Sequence, residues 1–386
     1  MRCLLPLGGD AALFFVLLYL YVWLVVDPRL VHHSLGILSE YYPFEFHSGW
    51  AFFLDHLAVP GGLVQYAARF LTQFYGIGWA GAAIITGAAA FACFAADALG
   101  RVAGRPRGRV LRFVPAVLLL GLYGGYSHPI HTLLPVLTAV AGFLIFARWA
   151  PQKLGARLLT VALASAATFQ VAGAGAAVFS LLAAVYECFI ARRPASGAAA
   201  IVCALVVPWG LATLASLDMS EAFAGPLLSD PGVLPVRQPL AIAWTAFFPA
   251  LLATAVLAQA VLNRRQSRVA GNRRDAKRGS ERSRGKAGRG AHPEASRRAA
   301  WMRRLTDRAF SRASRRAIPV ASAGLVLLGA AAVGWLSLDT LARTILEIDF
   351  HSQREHWEET LASAAKLPPG TYNVRCNRNI ALALYH

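Results

Sequence analysis

Charge is what this chain has little of: 15% of its 386 residues are charged and only 20 are acidic, against 56% hydrophobic. A single globular core does not use so much apolar surface, so the bilayer is the expected solvent. Cysteine is sparser still. The five (Cys3, Cys93, Cys188, Cys203, Cys376) form no CxxC pair and mostly lie in or beside apolar runs, which argues against a disulfide framework, a zinc ribbon or a dithiol redox role. His-x3-His pairs are missing as well. The spacing of His32, His33, His47, His56, His128 and His131 is not that of a ligand set, so no metal is expected. The residues leave the cofactor open. An Ala-x-Ala-like site does not follow the first apolar run, so that run reads as a retained signal-anchor.

What the chain does have is apolar runs of membrane length. A hydrocarbon core about 30 Å thick takes roughly 20 residues of helix, and only helices satisfy their own backbone there. The runs are 11–26, 77–99, 111–126, 130–147, 157–172, 174–191, 197–216, 238–262 and 318–337, which predicts an all-α bundle of about nine spans. Gly173 and Gly175 separate two runs that would otherwise read as one long helix. With the N-terminus in the cytoplasm, 30 of the 38 Lys and Arg fall on the cytoplasmic side, which is the favoured orientation. The expected location is a bacterial inner membrane, with the C-terminal tail outside.

The net charge of +18 comes mainly from the segment 263–317, rich in Arg and poor in apolar residues. Such a segment cannot repay the entropy of ordering, so a largely disordered cytoplasmic loop is expected between the bundle, 1–262, and the last span, 318–338. Its last part, around Trp301, Leu305 and Phe310, suits an amphipathic helix on anionic lipid. Without an aromatic-interleaved fold beside the charge, no nucleic-acid partner is expected.

The first outer loop, 27–76, ends in PGGLVQYAARFLTQFYGIGW. Leu63, Tyr66, Phe70 and Phe74 recur at helical spacing, which predicts a helix lying in the outer interface. Together with GYSHPIHTLLP and FQVAGAGAAVFSLLAAVYE, this stretch resembles the signature of a family of bacterial polytopic membrane proteins classed as a domain of unknown function. The long outer loop with an interfacial helix, and an acid directly after the first span, are also similar to polytopic glycosyltransferases that use lipid-phosphate sugar donors. That similarity implies an enzyme acting on lipid-linked sugars in envelope glycan assembly.

Glycosyl transfer at a membrane surface needs a carboxylate to take the acceptor proton and cationic groups to stabilise the departing phosphate. The carboxylates at hand are Asp27, Glu40, Glu45 and Asp55, with Asp27 first choice as base; Arg69, His56, His128 and His131 are the phosphate partners. Glu187 lies close to hydrocarbon with Arg192 and Arg193 just after it, the pattern of a structural ion pair. The tail, 339–386, alternates amphipathic helices around PPG and resembles the start of a tetratricopeptide-like array, implying more chain beyond it. The alternative to an enzyme is a scaffold anchored by the spans, whose tail recruits protein partners.

Overall fold

The computed structural model describes residues 9–37, 46–104, 110–126, 130–214, 238–284, 323–371 and 373–386, and the described residues are helices and their connections. Glu40, Glu45 and His128 lie outside them.

The first helix, α1 (Gly9–Tyr21), runs on through a π-helical turn, Val22–Val26. Asp27 stops it at φ 55. Pro28, whose fixed φ suits a first helical position, then opens α2 (Pro28–Ile37), bent 53° from the first helix. A short hairpin follows, α3 (Trp50–Ala58) and α4 (Gly62–Gln73). Next come α5 (Gly78–Val102), α6 (Val114–Tyr123), α7 (Ile130–Trp149), α8 (Leu154–Ala172), α9 (Ala176–Val185) and α10 (Pro194–Leu214). The last described elements are α11 (Gln238–Arg284), α12 (Ala323–Ser337), α13 (Thr340–Ser352), α14 (Trp357–Ala364) and α15 (Val374–Tyr385).

Five helices are long and apolar enough to cross a membrane, or up to seven if each of two bent pairs counts as one span. That count takes Leu154–Ile190 as a single helix. The chain folds back inside it. Gly173 sits at φ 55, and Arg157 reaches Glu187 at 2.6 Å, a contact that a straight helix would hold about 45 Å apart at 1.5 Å rise per residue. Thus α8 and α9 form an antiparallel pair turned at Gly173–Gly175.

The centre of the bundle is α5 and α7. The buried face of α5 is mostly small, Ala82, Ala89, Ala92, Ala95 and Ala96, which lets neighbouring backbones approach where no hydrophobic drive separates helix from lipid. In contrast, α10 turns Ile201, Val202, Leu205, Val206 and Trp209 outward. An apolar face of that size suits hydrocarbon and not water.

One feature differs from the sequence expectation. Helix α11 does not end at Leu262 but continues to Arg284, into the basic segment. In α4 the buried residues are Val64, Ala68 and Thr72, while Phe70 and Phe74 are exposed. Small side chains win the packed face because the hairpin approaches closely: a Cβ on Gly61 would stand 3.1 Å from the Gly173 backbone.

The tail is docked on the bundle. Helix α13 packs against α14, α15 and α2, and the Asp339 amide donates to the Gly124 carbonyl at 2.9 Å; in the span before the tail, the Gly334 carbonyl of α12 accepts from the Tyr21 hydroxyl at 2.7 Å.

Candidate functional site: a cleft between the first bend and the tail

The π-turn that ends the first helix leaves Asp27 at a positive φ, a conformation costly for a residue with a Cβ. Local bonds hold it there. Its amide donates to the Val22 carbonyl, the Leu30 amide donates to its own carbonyl, and its carboxylate receives the Arg29 amide at 3.1 Å. The Arg29 guanidinium adds a fork, Nε to Oδ1 at 2.9 Å and Nη2 to Oδ2 at 2.7 Å. Asp27 therefore faces the surface already clamped by a cation.

Opposite stands α13, which shows Arg343, Glu347, Phe350 and His351, and beside it Glu359 of α14 and Lys366 in the turn after α14. Arg343 Nε donates to Glu347 Oε1 at 2.8 Å, and Lys366 Nζ to Oε2 at 3.2 Å. Between these walls lies a cleft of about 450 Å³ that Trp23, Leu24 and Leu30 also line. The Arg29 guanidinium lies 5.8 Å from the Phe350 ring centroid, so the two walls meet through a cation–π contact. Acids and bases balance, with Asp27, Glu347 and Glu359 against Arg29, Arg343 and Lys366. Paired polar groups beside the exposed Trp23 ring suit a ligand with many hydroxyls and little net charge better than a bare anion; Phe350 is itself buried.

Asp349, behind this wall, ties the tail to the bundle. It is buried, and it accepts from His33 Nε2 at 2.7 Å, Arg375 Nε at 2.6 Å and Asn379 Nδ2 at 2.7 Å. Burial alone would push its carboxyl up; the bonds from His33, Arg375 and Asn379 outweigh that and hold it at about 2. The neighbouring His351, also in the cleft, is pulled below its ordinary value by desolvation, against the attraction of Glu359 and Glu347.

Of the described residues singled out by sequence, Asp27 alone lines this cleft. Asp55 is exposed on α3. His56 and Arg69 come together elsewhere, around Phe52. The His56 Nδ1–H donates to the Phe52 carbonyl at 2.7 Å with its ring 4.3 Å from the Phe52 ring, and the Arg69 guanidinium lies 5.7 Å from the same ring. His131 is partly exposed at the start of α7. Among the described residues no cluster of three His, Cys, Asp or Glu could hold a metal ion. Glu347, Arg343, Glu359, Lys366 and Asp349 were not foreseen. Their only sequence signal was the helical spacing of polar residues in the tail.

The model of a family of unknown function, DUF6057, matches residues 11–385. No curated protein and no solved structure matches the chain.

Proposed function

The chain belongs to the DUF6057 family, and from that premise we propose that it is a nine-span membrane protein whose cleft binds the sugar part of a lipid-linked glycan. Nine follows from the seven spans that include the bent pairs, once Leu154–Ile190 is divided at its turn and the short apolar helix Leu111–Tyr123 is added. The N-terminus is cytoplasmic and the cleft faces outward, in a bacterial inner membrane. Supporting this orientation, Arg101, Arg112, Arg148, Lys153, Arg192 and Arg193 all lie at helix ends away from Asp27. Cysteine placed at Lys153 is expected to react only with reagent on the cytoplasmic side, and cysteine at Glu358 only with reagent outside. Labelling of both from one side would overturn the topology.

The observation that carries the sugar reading is the cleft itself, with Trp23 and Phe350 beside paired carboxylates and cations at the point where the first span breaks. On the enzyme reading, Asp27 takes the acceptor proton from a lipid-phosphate sugar reaction and Arg29 and Arg343 meet the leaving phosphate. Asp27→Asn is then expected to lower transfer from a lipid-phosphate sugar by about 10²-fold or more, the usual loss of a general base. Arg29→Gln breaks the same clamp and removes a phosphate partner while keeping the carboxylate, so protein level and monodispersity of both variants are measured to separate chemistry from local folding. Full activity in Asp27→Asn at normal protein level would overturn the enzyme reading. The scaffold reading draws on one observation, that Arg29 already occupies the Asp27 carboxylate; it expects Asp27→Asn to be silent and loss of the tail alone to abolish function.

A further inference from the structure

The α3–α4 hairpin shows an unusual face. Trp50, Leu54 and Leu57 follow one another at helical spacing along α3 and all are exposed, Trp50 at 72%. Phe70 and Phe74 are exposed too, and Ile77 and Trp79 continue the apolar surface along the chain into the first turn of α5, one of the spans. Water does not tolerate that surface well; lipid does. Tryptophan and tyrosine at such a place favour the headgroup level.

Set into this surface is one cation. Arg69 is half-buried against Phe52, and among the described residues no carboxylate pairs with it; Asp55, the acid of the hairpin, is exposed on α3. Desolvation accordingly pulls the Arg69 guanidinium below its ordinary value. Around it the aromatic rings are packed. Phe46 stands 5.1 Å from Tyr66, 5.3 Å from Phe70 and 5.9 Å from Phe52. Tyr66 also helps line a cavity of about 320 Å³ with Ser48, Gly49, Trp50 and Phe53. A partly desolvated cation without a counter-ion is costly, and an anionic group that reaches it forms a charge-assisted bond, roughly twice as strong as a neutral one.

We propose that the α3–α4 hairpin is a binding site for an anionic phospholipid, with its phosphate on Arg69 and its acyl chains along Trp50, Leu54, Phe70 and Phe74. The exposed apolar surface selects a lipid over a soluble phosphate, and Arg69, which pairs with no carboxylate among the described residues, selects an anionic over a zwitterionic headgroup. The site is separate from the cleft, because no residue of α3 or α4 lines it. It anchors the hairpin, and through the Gly61 amide to Gln170 carbonyl bond of 2.9 Å it braces the α8–α9 turn.

Hydrogen exchange of the full chain in nanodiscs tests this locally, which matters because the basic segment also attracts anionic lipid. Peptides covering 46–76 are expected to exchange about tenfold more slowly in phosphatidylglycerol than in phosphatidylcholine, the low end of a hydrogen bond to a charged group. Arg69→Gln is expected to abolish that difference and Arg69→Lys to keep part of it, with peptides covering 340–366 unchanged throughout. Equal exchange of the wild-type chain in the two lipids overturns the site, a result that needs no variant to fold. So does an undiminished phosphatidylglycerol effect in Arg69→Gln. If millimolar inorganic phosphate in phosphatidylcholine discs reproduces the protection, the occupant is a soluble anion and the lipid assignment is wrong.

Discussion

Asp349→Leu is expected to free the tail from the bundle, with hydrogen exchange in α13 and α15 accelerated by about two orders of magnitude or more while α5 and α7 keep their protection. The carboxylate takes three donors from two elements, His33 on α2 and both Arg375 and Asn379 on α15. Removing it strands all of them. Breaking a buried ion pair on one side costs about 3–5 kcal/mol; because the Arg375 side chain is 47% exposed and can rehydrate, the lower end of that range applies. Acid should act in the same direction. The Asp349 carboxyl is lower in the folded chain, about 2, than its ordinary 3.8. Its contribution to docking is therefore complete above about pH 4 and is lost as pH falls towards 2. Proteolysis of the connections at 353–356 and 365–371, followed from pH 5 downward, reads this directly. Unchanged exchange in Asp349→Leu would mean that apolar packing alone holds the tail. Because the cleft needs α13 opposite Asp27, the same variant should also lower any binding measured there.

How much of this was legible in the sequence depends on whether the deciding contact is local. The break at Asp27 could be read, since an acid and a proline directly after an apolar run can hardly continue a span. The turn at Gly173 could be read for the same kind of reason. The packed face of α4 could not. The spacing of Leu63, Tyr66, Phe70 and Phe74 gives the helix an apolar face for lipid, but nothing local says that Val64, Ala68 and Thr72 meet the bundle; contact between glycine backbones at Gly61 and Gly173 decides that by leaving room only for small side chains. The opposite wall of the cleft was hidden too. Arg343, Glu347 and Lys366 look like the solvated face of any amphipathic helix until His33 and Asp349, 316 residues apart, fix where that helix lies. Glu187 was read as one half of an ion pair, and it is, but with Arg157 rather than the nearby Arg192 or Arg193. Chain proximity suggested the wrong arginines; the hairpin supplies the right one.

That pair gives the other large expected effect. Arg157 and Glu187 are 3% and 0% exposed, and the fork is complete: Nε lies 2.9 Å from both carboxylate oxygens and Nη2 lies 2.6 Å from Oε1. Arg157 Nη1 donates to the Pro151 carbonyl at 2.9 Å, so the guanidinium is also tied to the connection before α8. The π-helical turn Tyr186–Ile190 carries Glu187, and the Arg193 amide donates to its carbonyl at 2.7 Å. The two charges thus close the α8–α9 pair at the end opposite its glycine turn. Glu187→Leu leaves a guanidinium buried with no acid, and Arg157→Met leaves a carboxylate likewise, so each single variant should lose about 3–5 kcal/mol. The double variant removes both charges and fills the space with apolar groups of similar volume, and should recover most of that loss or all of it, since the pair also costs desolvation to form. Heating the detergent-purified proteins and measuring the fraction that stays monodisperse distinguishes the cases. Two unstable single variants with a stable double variant identify mutual compensation of charge as the reason the pair is kept. A double variant as unstable as the singles would instead mean that the bonds of the pair itself, and not the relief of an uncompensated charge, hold the hairpin closed.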